Sequence, residues 1–228
     1  MKLLSKNTGM LKILGGLALL VASTDGKPRQ LMKTMGMGRR LSANIKGAYT
    51  ESGENIENFR ASVRAIETGP GKAKWTVEIT GGVEEVKAAC PGNLNWHIHV
   101  KQIGTKSDTD PYGCYTTGGH WDSGFACGGA SQWATTTCKS LEVGYQDAGF
   151  SPYSARCGTS PSSSPSFPKQ DGCEYGDLSE KMGKIEVRKG KQTFDDTFIQ
   201  PLDTYTETSV VLHCCDTNCK WRLACADF

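Results

Sequence analysis

Histidine is scarce in this chain, with four in 228 residues. There is no Gly-rich phosphate loop, no internal repeat and no Asn-x-Ser/Thr sequon. These absences remove the P-loop nucleotide binders, the solenoids and an N-glycosylated surface from consideration. No stretch reaches the roughly 20 apolar residues that a membrane-spanning helix needs. Lys and Arg nowhere cluster with aromatics, so the basic face of a nucleic-acid binder is missing as well. Nor does any segment repeat its apolar residues at convincing helical spacing.

What is present begins with an export pattern. Lys2, Lys6 and Lys12 precede a short apolar run from Ile13 to Ala22, and Val21-Ala22-Ser23 offers small residues for cleavage. Residues 1–23 read as a signal peptide. Residues 24–43 follow as a basic, Met-rich linker or propeptide containing Arg39-Arg40, or as an arm that is simply retained. Loss of residues 1–40, with eight Lys or Arg and one Asp, would take the formal charge from +2 to −5. Ten cysteines behind an export signal argue for disulfides, because an oxidising compartment makes and keeps them. No apolar tail follows Cys225, so the expected product is soluble, extracellular and without a lipid anchor.

From Asn44 onward the apolar residues alternate. Phe59, Ala61, Val63 and Ala65 make one face, as do Trp75, Val77 and Ile79. Such alternation marks strands with one buried face, and Gly69-Pro70-Gly71 and Gly81-Gly82 punctuate them as turns. Further strands are expected at Asn44–Thr50, Leu94–Val100, Lys184–Arg188, Thr208–His213 and Arg222–Ala226. The fold class is therefore all-β: a Greek-key β-sandwich or flattened barrel of about eight antiparallel strands. A long Cys-rich loop, residues 124–173, breaks the rhythm with Cys127, Cys138, Cys157 and a Ser-Pro-rich run. A loop of that length is expected to be functional or held by local disulfides.

Half of the histidines fall in Asn95-Trp-His-Ile-His-Val100. Positions i and i+2 of a strand share a face, so His97 and His99 can converge on one metal ion. A half-buried strand carrying two polar residues outward is the plainer reading of the pair alone. The other two histidines are His120, in Gly118-Gly-His-Trp121, and His213, in Val210-Val-Leu-His213.

In this order the motifs resemble the Cu,Zn superoxide dismutase family, and more closely its copper-only branch. The matching pieces are His97-x-His99, Gly113-Cys114 with Gly118-x-His120, Gly176-Asp-Leu178, Val210-Val-x-His213 and Arg222-Leu-Ala-Cys225. The resemblance covers residues 44–228 and implies four copper ligands, His97, His99, His120 and His213. Imidazole suits copper, and a tetragonal nitrogen set suits Cu(II). A structural zinc held by the same four is chemically possible.

The departures point to the same branch. Two zinc-binding histidines of the family are missing; Asp177 alone matches a zinc ligand, and Glu174 stands where one histidine is lost. A zinc site is thus expected to be absent, although His120, Asp177 and Glu174 could still bind zinc weakly. Glu174 is expected to hold the ring nitrogen of His120 that faces away from copper; the plainer role for both carboxylates is capping backbone N–H groups. Only eight residues, Cys214 to Trp221, separate His213 from Arg222, where zinc-containing members carry a long charged loop.

The resemblance further implies a disulfide between Cys114 and Cys225, which would hold Arg222 near the metal. Cys214, Cys215 and Cys219 are unexplained by it, and disulfides to the long loop or a thiolate site for Cu(I) are the two readings. The implied function is that of a secreted copper-only superoxide dismutase, an enzyme converting superoxide to oxygen and hydrogen peroxide. By the same resemblance His120 would leave reduced copper and carry a proton, Glu174 and Asp177 would orient its ring, and Arg222 would bind the incoming anion, with superoxide as the partner. Arg222, a permanently charged donor, would attract the anion, with Lys220 as a second local cation. Nucleic acid and membrane are not expected as partners, and a monomer is favoured. The competing reading is an extracellular protein that binds or sequesters copper on the same scaffold with little turnover.

Overall fold

The computed structural model describes residues 38–124, 126, 130–134, 136, 174–214 and 221–228. The expected signal peptide, residues 24–37 of the linker, most of the long loop 124–173, Lys220 and the cysteines 127, 138, 157, 173, 215 and 219 lie outside them. The compact unit runs from Gly38 to Phe228.

Seven strands form among the described residues: β1 (Arg40–Tyr49), β2 (Asn55–Gly69), β3 (Lys72–Gly81), β4 (Leu94–His99), β5 (Gly190–Asp196), β6 (Ser209–Cys214) and β7 (Trp221–Asp227). They build two antiparallel sheets, ordered β1-β2-β3-β5 and β4-β6-β7. After β3 the chain passes to the second sheet, returns for β5 and crosses again for β6. The inner faces close over one core. Phe59, Val63, Trp75, Val77 and Ile79 from the first sheet meet Trp96, Ile98, Val210 and Leu212 from the second. Trp75 and Trp96 join the sheets edge to face, their ring centroids 5.8 Å apart.

Two strand expectations need correction. The strand expected at Lys184–Arg188 is a single bridge from Ile185 to Leu94, and the ladder partner of β3 is β5 instead. Two inward positions of β5 are Gln192 and Asp196, both buried, so its alternation is invisible to a count of apolar residues. The first strand starts at Arg40, so residues 40–43 of the expected linker are paired with β2.

Cys214 does not join the long loop. It is bonded to Cys90, because its register partner Leu94 lies just beyond the short helix α1 (Val83–Ala89) that Cys90 caps. The Cys114–Cys225 disulfide is present as expected. α1 and a one-turn helix α2 (Leu178–Met182) are short enough to leave no periodic signal.

Candidate metal centre

In the second sheet β4 is an edge strand, and this edge assembles the site. Two loop segments add themselves to it. Residues 118–121 pair through Gly119 O to Val100 N and Ile98 O to Trp121 N, at 3.1 and 2.8 Å. The segment after Glu174 does the same through Gly176, whose carbonyl accepts from Ile98 N and whose N–H reaches Trp121 O, both 2.8 Å. A Cβ at Gly176 would fall 2.5 Å from the Ile98 oxygen, so only glycine allows this approach. His120 and Asp177 are thereby laid beside His99 and His97 as bridge partners.

β6 supplies the fourth histidine. His213 stands opposite Asn95, on the same face as His97 and His99. A register shift between Leu212 and His213 then sets His213 opposite Arg222 on β7. Trp96 and Ile98 fill the other face of β4 and enter the core.

The four histidines are buried, and each brings one ring nitrogen within 4.8 Å of the others. Hydrogen bonds assign which nitrogen. The Gly118 carbonyl can only accept, so His99 Nδ1 carries the proton at 2.8 Å and Nε2 presents its lone pair. That Nε2 faces His213 Nε2 at 3.3 Å. His120 Nδ1 meets Glu174 Oε2 at 2.6 Å, leaving its Nε2 for the centre. His97 turns its Nε2 toward Asp177 Oδ1 at 3.4 Å, while its buried Nδ1 has no hydrogen-bond partner among the described residues. A buried polar atom with no partner is costly, and a cation among these nitrogens would satisfy it. The donor set fits an imidazole-loving transition metal such as copper.

At His97 and His99 the electrostatics agree with neutral rings. Burial, reinforced by the charge of His120, pushes His97 down to about 4. Burial first, and then His120 and Arg222, holds His99 well below the ordinary imidazole range. Neutral imidazole is the metal-binding form. Burial raises the Glu174 carboxyl above its usual value, with the His120 hydrogen bond working against it. Burial would also raise Asp177, but its His97 bond and the neighbouring His97 and His120 charges together bring it below the usual range.

Asp177 is expected to orient the His120 ring beside Glu174, but the bridge that pairs it with His97 turns its carboxylate to the His97 ring instead. Its Oδ1 faces His97 and also accepts the Glu180 N–H at 3.0 Å, so the plainer capping role holds for this residue alongside the histidine contact. His120, Glu174 and Asp177 form a second set of ligand atoms close enough to hold a cation.

Arg222 is fixed by the turn that the Cys114–Cys225 disulfide ties to β7. Its Nη1 donates to the Cys114 carbonyl at 2.8 Å and to Thr117 Oγ1 at 3.0 Å; its Nη2 donates to the Gly118 carbonyl at 2.7 Å. Of five guanidinium N–H groups, two have no acceptor among the described residues and can meet an anion. Gly118 thus holds both Arg222 and His99 through one oxygen. The Tyr115 ring lies 5.5 Å from the guanidinium carbon. Asp110 braces the turn by accepting the backbone N–H groups of Cys114 and Tyr115, at 2.8 and 2.7 Å.

Every expected site residue within the described part of the chain is therefore gathered here. Asp110, Thr117 and the Gly118 carbonyl are additions that sequence reasoning did not find. Thr117 and Gly118 act through hydroxyl and backbone groups that any turn sequence could supply. Asp110 carries a turn-forming signal but no link to Arg222 that the sequence displays.

The architecture and site define a two-sheet antiparallel sandwich with four histidines gathered at one sheet edge. No protein-family model and no curated protein matches the chain. Among solved structures, it is similar to a glutamate-to-glutamine mutant of Candida albicans superoxide dismutase 5, with 18% identity and a TM-score of 0.45 over 84% of this chain and 90% of that one. The Cu(II) form of the same Candida protein gives 19% and 0.43 over 82% and 89%. The clock protein EA4 gives 18% and 0.41 over 86% and 98%. Likeness at that level leaves the chemistry to the chain's own side chains.

Proposed function

We propose that this chain is a secreted copper-only superoxide dismutase. The observation that carries the reading is the convergence of one ring nitrogen each from His97, His99, His120 and His213, while Glu174 holds the far side of His120. The ordered motifs of the sequence favour the same branch. Two disulfides among the described residues suit an oxidising destination.

His97 through Nδ1 and His99, His120 and His213 through Nε2 would hold copper. Bound there, copper would supply the one-electron cycle by which two superoxide anions and two protons become oxygen and hydrogen peroxide. The chain's own groups do the rest. Arg222, half-buried and positively charged, draws the anion and offers it those two N–H groups. Glu174 Oε2 keeps the proton of His120 on Nδ1, so Nε2 is the atom free to bind metal or take up a proton. Asp177 orients His97 in the same way through Nε2. This reading calls for no zinc, with Glu174 Oε2 standing opposite His120 Nδ1 in its place.

The test is superoxide consumption by the copper-loaded protein. It is expected to be catalytic, abolished in His120→Ala and sharply reduced in Arg222→Ala. A copper-loaded protein that binds its metal but does not turn over would establish the sequestering role instead.

A further inference from the structure

Glu174 and Asp177 stand on a short arm, residues 174–182, that ends in the five-residue helix α2. One helical turn does not hold itself in water, so the arm's geometry must be imposed from outside. At its near end Gly176 is stitched to β4, and Ser179 Oγ accepts the Trp96 N–H at 2.6 Å. At its far end stands a buried ion pair. Lys181 Nζ donates to Asp196 Oδ2 at 2.6 Å and to the Phe198 carbonyl at 3.0 Å. The two side chains are only 4% and 1% exposed. Asp196 Oδ1 accepts the Phe198 N–H at 2.9 Å, so both carboxylate oxygens are used. The Phe198 ring in turn stacks on Tyr175, next to Glu174, with centroids 4.4 Å apart and planes 7° from parallel.

The same connection after β5 reaches the other partner of the Glu174 bond. Gln200 Oε1 accepts the Trp121 indole N–H at 3.4 Å, and the Trp121 ring packs edge-on against Tyr205, centroids 5.8 Å apart. Trp121 directly follows His120. Residues 196–205 therefore touch the chain on both sides of the His120–Glu174 hydrogen bond.

A buried ion pair is a weak source of stability, since well-packed apolar groups commonly serve as well or better. What it does supply is a single geometry, because two desolvated charges tolerate little displacement. Lys181 lies one helical turn after Asp177, its N–H bonded to the Asp177 carbonyl at 3.2 Å. Whatever fixes Lys181 fixes Asp177.

We propose that Lys181, Asp196 and Phe198 form a positioning clasp that sets the reach of Glu174 to His120 and of Asp177 to His97. The copper readout rests on the function proposed above. The clasp itself can be read without metal.

The experiment compares the full chain with Lys181→Met/Asp196→Leu, which removes both charges together and leaves no unpaired ion. The variant is expected to fold with a lowered thermal midpoint, because the Phe198 N–H and carbonyl lose their side-chain partners. In the metal-free parent the short His120–Glu174 bond is expected to give a strongly deshielded Nδ1–H proton resonance, which in the variant is expected to broaden or vanish through exchange. In the copper-loaded protein, Cu(II) affinity by chelator competition is expected to fall about tenfold, the lower end of what outer partners of metal ligands contribute, with altered electron paramagnetic resonance parameters. An unchanged resonance and unchanged affinity would overturn the clasp. Should that variant not fold, Phe198→Ala removes only the stacked ring, and the same two readouts decide. A parent protein that binds no copper would sink the proposed function, while the His120 resonance would still report on the clasp.

Discussion

Glu174 Oε2 lies 2.6 Å from His120 Nδ1, and both side chains are almost completely buried. This contact assigns the two faces of the His120 ring: one to a carboxylate of the chain, the other to the histidine cluster. A carboxylate in that position fixes tautomer and orientation without a second metal. Replacing Glu174 by Gln keeps the shape but loses the charge. Glu174→Ala leaves the ring without its partner. Copper affinity or turnover is expected to fall about 10- to 100-fold in Glu174→Ala and less in Glu174→Gln. Chelator competition followed by rate measurement on the two variants checks this order.

Arg222 is expected to act on the encounter with substrate more than on metal retention. Its remaining N–H groups can meet an anion, while three others hold the 114–118 turn. Arg222→Lys keeps the charge but cannot span those three acceptors. Both Arg222→Ala and Arg222→Lys should keep copper, lose rate, and differ in salt dependence, with the alanine variant the less sensitive to ionic strength. Equal salt slopes in parent and alanine variant would remove Arg222 from the steering role.

The Cys114–Cys225 disulfide closes a separation of 111 residues and ties the Arg222-binding turn to β7. Its replacement by two serines should cost about 2–5 kcal/mol of stability. Because Cys114 itself accepts from Arg222, turnover per bound copper should fall as well. Thermal unfolding together with rates normalised to copper separates the two effects.

In the metal-free protein, acid should loosen the site. His97 titrates near 6.5 when unfolded and about 4 when folded, so between those values the unfolded chain binds the extra proton. The stability contributed by its neutral ring is complete above about 6.5 and lost as pH falls toward about 4, on the order of 3 kcal/mol. His99 is shifted in the same direction. Glu174, raised by burial, works oppositely: its contribution is present at low pH and declines as pH rises through its folded value. Denaturant unfolding from pH 7 to 4 should therefore show a net decline that His97→Gln reduces. A flat profile would mean that the histidines do not enter the fold neutral.

Much of this site is visible in the sequence because its chemistry uses rare residues at fixed strand spacing. His97 and His99 share a face by the period of two alone, and the core faces of β2 and β3 follow from the same rule. Glu174 and Asp177 are legible only through the order of neighbouring motifs, since nothing local distinguishes them from helix-capping acids. Asp177 is in fact also a cap. What stays hidden is whatever depends on polar residues turned inward. β5 buries Gln192 and Asp196 where a strand pattern asks for apolar side chains. Cys90 finds Cys214 through a register that no spacing reveals. The Gly118 carbonyl, which serves His99 and Arg222 together, is a backbone atom and has no sequence signature at all.

If these four histidines and Glu174 make a catalytic centre with copper alone, activity must follow copper and nothing else. The measurement that tests this most directly is superoxide consumption against metal content, titrating copper into the metal-free, zinc-free protein. Activity is expected to rise linearly and saturate at about one copper per chain, with no further gain from zinc. Saturation without turnover, or turnover that appears only once an equivalent of zinc is added, would contradict the account.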